Sequence, residues 1–561
     1  MRATHLRFLR RFSEWAAIDC LGVLVGILSG LAAAAFEKLA EATASLFQYL
    51  ALAMFHLPCA SLSTILIPGV GGVIVGALTL VTPEVRGHSM PKILRALLLN
   101  GGRIRGRVAL IKVLASAITI GSGGAAGRVG PSAQVGAVTG SLLAQLFRLD
   151  TSRIRLLTVC GVSGGMAGAL NAPLAAALFT LEALTRGVGI IDSIPIILSS
   201  IAGAEASSLI LGARHVLAVD EACGWHLFLV PSSLALSTAL GFAAALWVKA
   251  FYLLRRAFER ADLPNPLKPA LGGLATGFIS LYLLHVLGSA WLEPSHLVRT
   301  AYPDFAQLLV AGMLMMLANS LTLGSGGSGG VFGPALCMGI VLGRSLEEVL
   351  ARLTWAPSSS NVLPLLGAAA FLAGSMQAPI FAALLVPEAS GYPDLLLLSA
   401  VSSAGGFLSA WAFLRGSSIH TVELRDLGLR MGRPFTLHAL KVRDFMIREV
   451  TALPYETPLA ALRLLFQERD YAGYPVVRGG VLVGVVPPSE VIRSAACSKV
   501  GELAERHLVY VYPDESVQSA LERMEEAGLS RLPVVEREDP HRVVGIISRD
   551  DLLRAYLPQR N

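Results

Sequence analysis

Twice in this chain a glycine-rich break interrupts apolar sequence and ends in Gly-Pro. The first runs Gly121-Ser122-Gly123-Gly124-Ala125-Ala126-Gly127-Arg128-Val129-Gly130-Pro131, the second Gly324-Ser325-Gly326-Gly327-Ser328-Gly329-Gly330-Val331-Phe332-Gly333-Pro334. Both cover the same interval. Downstream of each lies another matched pair at equal spacing, Asn171-Ala172-Pro173-Leu174 with Glu182 and Gln377-Ala378-Pro379-Ile380 with Glu388. In both cases the second copy follows the first by about 200 residues, which indicates two duplicated, pseudo-symmetric halves.

Such breaks constrain the fold strongly, because unwound backbone at membrane depth is tolerated only when it is buried in protein or lines a cavity. Glycine lets the main chain approach a ligand, and Gly-Pro marks a loop turning into a helix N-terminus. Free amides there, with the positive end of the helix dipole behind them, attract anions. Either copy alone also fits close helix packing by small residues. The pairing favours the anion cradle.

The bilayer setting follows from composition: 54% of the 561 residues are hydrophobic and 15% charged, with mean hydropathy +0.62. Apolar stretches recur from about Ala16 to about Phe413, including Leu21 to Phe36, Leu227 to Phe251 and Leu271 to Leu287. The formal net charge of +7 is read as positive-inside loop bias, with membrane lipid rather than nucleic acid as the partner. Arg2, Arg7, Arg10 and Arg11 precede the first apolar segment and place the N-terminus in the cytoplasm, with that segment a retained helix. The six cysteines are scattered without C-x-x-C, so neither a zinc site nor a disulfide framework is expected.

Three motifs then carry a resemblance. Gly87-His88-Ser89-Met90-Pro91 is similar to GSGIP, Gly127-Arg128-Val129-Gly130-Pro131 to G(K/R)EGP, and Gly330-Val331-Phe332-Gly333-Pro334 to GxFxP. In this order and amid this repeat, the chain resembles the CLC family of chloride channels and proton/chloride exchangers over nearly its whole length. The resemblance implies an all-α polytopic membrane domain of inverted repeats. It also implies a homodimer with one pore per subunit, and anions held by helix N-terminal amides and hydroxyls. The membrane domain is expected over 1–430, its repeats over roughly 16–215 and 226–420, in the inner membrane with both termini cytoplasmic.

The departures from the family pattern are informative. The glutamate of G(K/R)EGP, the family's gate and proton carrier, is Val129 here. The internal proton glutamate next to Glu182 is Ala183. A proton relay needs groups that bind and release protons, so uncoupled conduction is expected. The anion-contacting serine aligns with His88, Ser89 falls on the second glycine, and the pore tyrosine aligns with His420. Imidazole donates hydrogen bonds and becomes cationic near about pH 6.5, so either histidine is a candidate for pH response; the competing readings are a neutral His88 pointing away from the pore and an ordinary membrane-border His420. Lys92 is read as positive potential at the inner mouth or as a lipid-snorkelling side chain. Arg128 is read as an electrostatic lure or a salt-bridged structural residue, the family pattern favouring a pore-side role. Glu182 and Glu388 are expected to be buried carboxylates bonded to neighbouring backbone, and Ser122 and Ser325 to tie the broken loops.

After His420 the texture changes to dense charge with short apolar runs. Tyr474-Pro475-Val476-Val477 with Gly484 to Glu490, and Leu532-Pro533-Val534-Val535 with Gly545 to Asp551, form a second repeat. It resembles a tandem CBS pair, an α/β module expected over 441–561 with copies at 441–497 and 498–561. In nucleotide-binding copies a Ser or Thr and an Asp three positions later contact ribose. The second copy keeps Ser548 and Asp551, and the first has Pro487 and Glu490. No cofactor is otherwise expected beyond an adenine nucleotide there, in competition with a purely structural role.

Other classes fit less well. CBS-linked divalent-cation transporters need carboxylates on the ion path, and the Gly-Pro motifs carry none. A coupled exchanger would need unconventional proton stations such as the two histidines. No nucleophile, base and oxyanion constellation or metal-ligand spacing suggests an enzyme.

Overall fold

The structure is a computed structural model. It describes residues 2–54, 60–185, 190–213, 215–217, 229–299, 304–354, 361–426, 441–448, 450, 452–458, 474–479, 481–486, 499–504, 509–527, 529, 531–539, 542–548 and 551. The chain divides into two compact units, Met1–Glu423 and Leu424–Asn561.

The first unit is helical. Its first half contains α1 (Arg2–Met54), α2 (Ala60–Val81), α3 (Met90–Leu99), α4 (Gly106–Gly121), α5 (Val129–Leu146), α6 (Thr151–Leu170), α7 (Pro173–Phe179) and α8 (Ile190–Leu211). The second half continues with α9 (Leu229–Arg260), α10 (Leu267–Leu287), α11 (Pro294–Arg299), α12 (Phe305–Gly324), α13 (Phe332–Thr354), α14 (Val362–Met376), α15 (Pro379–Ser390) and α16 (Leu396–Leu414), and ends in the first residues of α17 (Val422–Asp426). Among the described residues seven helices are long and apolar enough to cross a membrane. Packing repeats with the sequence: α1 against α8 matches α9 against α16, and α5 against α6 matches α13 against α14.

Burial follows the same logic. Every residue of α14 is buried, as expected for a helix apolar all round. Gly136 of α5 and Gly161 of α6 face each other so closely that a Cβ on either would collide with the other's carbonyl. Small residues here replace side-chain interdigitation by direct backbone contact. The helices α7 and α15 are too short to span alone and pack against one another.

The second unit contains α18 (Val500–Ala504), α19 (Val517–Glu526) and two small sheets. Leu453–Pro454 pairs parallel with Tyr474–Arg478, which pairs antiparallel with Val481–Val486; Arg531–Val535 pairs antiparallel with Val543–Ser548. Each sheet has its own apolar cluster, one around Val476 and Val486, the other around Val534 and Ile547. Period-2 alternation is weak in these strands because most of their positions are buried.

Candidate functional site

The two glycine-rich breaks meet. Gly127 N–H donates to the Gly330 carbonyl and Gly330 N–H to the Gly127 carbonyl, both at 2.8 Å. Beside them a two-residue parallel ladder pairs Gly87 with Ser328 and His88 with Gly329. Unwound backbone polar groups are thereby satisfied between the halves without water. The Ser122 and Ser325 hydroxyls donate to the Thr119 and Thr322 carbonyls, tying off each loop in the same way.

This junction gathers the motif residues. Ser89 precedes α3, whose first turn holds Met90 and Pro91; Arg128 precedes α5, which begins at Val129 with Gly130 and Pro131; Val331 precedes α13, which begins at Phe332 with Gly333. Three helix N-termini therefore belong to one junction. His420 comes just before α17, its ring centroid 6.0 Å from that of His88, 6.1 Å from Phe332 and 5.9 Å from Phe179. Phe251 and Tyr252 complete the surround of His88 at 5.4 and 6.4 Å.

The two histidines differ in their bonding. His88 Nε2 lies 3.1 Å from the Ile419 carbonyl, which also accepts from the Tyr252 hydroxyl at 2.7 Å. A carbonyl only accepts, so Nε2 of His88 carries the proton. His420 is 2% exposed, and neither ring nitrogen has a hydrogen-bond partner among the described residues. The Ser89 hydroxyl, in a residue 1% exposed, is likewise unpartnered. Buried donors left without a protein partner are costly, and an anion would satisfy them.

Basic side chains lie against the junction. Fully buried Lys112 donates to the Val85 carbonyl at 3.1 Å and the Gly87 carbonyl at 2.8 Å, and Lys92 donates to the Arg86 carbonyl between them. Lys92 is thus held by protein rather than extended to lipid. Lys112 was not singled out from sequence, although a lone lysine in the apolar run Val108 to Ile120 was the available signal. Arg128 forms an ion pair with Glu37 of α1, so the charge expected at the pore is largely compensated.

Two cavities reach this region and share no lining residue. One, of about 640 Å³, is bordered by Gly87 and lined by seven arginines and lysines but three glutamates. The other, of about 670 Å³, is bordered by Val129, Phe332 and the Arg128–Glu37 pair. His88, Ser89 and His420 line neither cavity.

Ala183 sits in a π-helical turn, Thr180–Leu184, beside Glu182. Glu182 accepts from the Ile380 and Phe381 amides at 3.3 and 3.0 Å, and Glu388 from Leu174 and Ala175 at 2.8 and 2.7 Å. These carboxylates are half-buried rather than buried, and the backbone amides they accept from belong to helices of the opposite repeat. Each bonds to a helix start some two hundred residues away.

The sequence model of the voltage gated chloride channel family matches residues 71–410. This chain belongs to the voltage-gated chloride channel (CLC) family. CBS domain models match 442–496 and 500–558 of the CLC chain. The voltage-gated ClC-type chloride channel ClcB of Salmonella typhimurium is 28% identical over 403 residues, covering 68% of this chain and 94% of that protein. ClcB of Escherichia coli is 29% identical over 357 residues, covering 60% and 82%. Among solved structures, a slow cyanobacterial Cl-/H+ antiporter superposes with TM-score 0.65 at 22% identity, covering 73% of this chain and 97% of that one. A eukaryotic CLC transporter gives TM-score 0.69 at 17% identity, covering 95% and 97%. The likeness to these structures is one of fold. The CLC chain is thus a membrane protein of a family of anion channels and transporters.

In the CBS module, Ser548 and Asp551 bond to each other. Asp551 Oδ2 accepts from the Ser548 amide at 3.0 Å and from its hydroxyl at 2.5 Å, while Ser548 Oγ accepts from the Asp551 amide at 3.1 Å. This is the reciprocal geometry of a capping box. CBS domains generally bind adenine nucleotides, but these two side chains already have partners here. Pro487 and Glu490 lie outside the described residues.

Proposed function

We propose that this protein is a passive anion channel, with chloride its expected ion and no coupling to protons. The observation that carries the reading is Val129, 6% exposed at the first position of α5, where the junction meets the second cavity. A valine there neither competes with an anion nor binds a proton. Ala183 removes the second station in the same sense. The amides of three helix N-termini supply the attraction for anions, Lys112 holds the backbone beside them, and His420 and Ser89 supply unpartnered donors.

The protein would act as a homodimer in the inner membrane with cytoplasmic termini, each subunit carrying its own path. Residues Gly87 to Pro91, Gly127 to Pro131, Gly330 to Gly333 and His420 form that path in this reading. A second reading, an exchanger using histidines as proton stations, is favoured by one feature: the buried His88 and His420 rings stand 6.0 Å apart. Reversal potential in reconstituted protein under a chloride gradient, with and without an opposing pH gradient, separates the two. Reversal set by chloride alone supports the channel, and a pH-driven shift in the direction of coupling supports the exchanger.

A further inference from the structure

The Ile419 backbone, beside the candidate anion path, is tethered through both its carbonyl and its amide. Its carbonyl accepts from Tyr252 of α9 at 2.7 Å and from His88 at 3.1 Å, and its amide donates to the Ser375 carbonyl of α14 at 2.9 Å. Arg255, one turn beyond Tyr252 on α9, pairs with Glu423 at 2.6 Å. Residues three apart share a helix face, so α9 grips the short segment 419–423 at both ends. His420 lies inside that grip, its backbone amide donating to the Ser418 hydroxyl at 3.3 Å and its ring nitrogens unpartnered.

The bond to Ile419 also decides what His88 can do. With its proton on Nε2 and that proton committed to a carbonyl, the neutral ring offers only an Nδ1 lone pair, which repels an anion. His420 in either tautomer has one N–H uncommitted. The side chain standing where the family pattern puts an anion-contacting hydroxyl is therefore spent on holding backbone.

We propose that Tyr252 and His88 are positioning residues for anion selectivity: together they fix the Ile419 carbonyl, and through it the direction in which His420 presents its N–H. Of the two histidines, His420 alone donates to the ion. This inference rests on the reading that His420 faces a conducting anion path.

The test is a double-mutant cycle on the bromide-to-chloride and nitrate-to-chloride permeability ratios of full-length reconstituted protein, using Tyr252→Phe, His420→Phe and the double variant. Tyr252→Phe shifts at least one ratio by about three- to tenfold, the size expected for losing one neutral hydrogen bond. In the His420→Phe background the same change has less than about a twofold effect, because Tyr252 acts on the ion only through His420 and coupled residues are not additive. Equal shifts in both backgrounds, or no shift in either, overturn the proposal. Should Tyr252→Phe fail to assemble, ring-nitrogen NMR of histidine-labelled wild-type protein decides the matter. A neutral Nε2–H form of His88 supports it, and an Nδ1–H form overturns it. A wild-type protein that carries no anion current would instead remove the channel reading.

Discussion

Glu182 and Glu388 exchange helix caps: the first carboxylate accepts from the Phe381 amide at 3.0 Å, the second from the Ala175 amide at 2.7 Å. Each half of the membrane unit thus terminates a helix belonging to the other. Replacing either glutamate by alanine is expected to cost about 1–2 kcal/mol, the usual worth of a helix N-cap. Thermal unfolding in detergent should show both variants losing stability by similar amounts, and glutamine at either site losing less.

Val129→Glu puts a titratable carboxylate at the first position of α5. The anionic form competes with the permeant ion and the protonated form does not, so flux should be low at neutral pH and rise as pH falls. Chloride efflux from liposomes across pH 4 to 7.5, about the range over which a carboxylate titrates, reads this directly. Coupled proton movement is not expected from this change alone while Ala183 remains.

Glu37→Gln removes the carboxylate that compensates Arg128 at the edge of the second cavity. The freed guanidinium should raise anion entry from that side severalfold at low ionic strength. At about 1 M salt the gain should vanish, since the Debye length falls to roughly 3 Å. Conductance measured against salt concentration on both sides distinguishes this from a general change in pore structure.

Lys112→Met leaves the Val85 and Gly87 carbonyls without their Nζ donor. Each unsatisfied buried acceptor costs about 1–3 kcal/mol, and the Gly87 carbonyl beside the junction loses the donor that holds it. Reduced stability together with a loss of anion current beyond the loss of folded protein is expected, measured as current per folded protein.

Ser548→Ala should lower the stability of the CBS module by about 1 kcal/mol, because it breaks a reciprocal cap. Calorimetric titration of the full chain with ATP, ADP and AMP is expected to give no binding heat, since Ser548 and Asp551 are already bonded to one another. Saturable heat that Ser548→Ala abolishes would assign them to a nucleotide instead.

The duplicated halves were legible because their landmarks are glycines and prolines, whose backbone demands survive in linear sequence: Gly127 and Gly330 lie at equivalent motif positions and meet in space. Long-range side-chain partners were not legible. Nothing near Glu182 indicates that its carboxylate reaches Phe381. Glu37 is an acid in a long apolar helix, and only folding brings it to Arg128. His88 was recognised as a departure at a site position, but its bond to Ile419 depends on a segment more than three hundred residues away. Tyr252 gave no sequence signal at all.

The reciprocal amide bonds between Gly127 and Gly330 also set an order of assembly. A ribosome delivers the first loop about two hundred residues before its partner, and in lipid its exposed peptide groups have nothing else to bind. The first half alone is therefore an incomplete object, kept from settling until the second arrives. Closure of this junction belongs late in biogenesis, and truncations between the halves should be cleared by the cell rather than accumulate as stable half-pores.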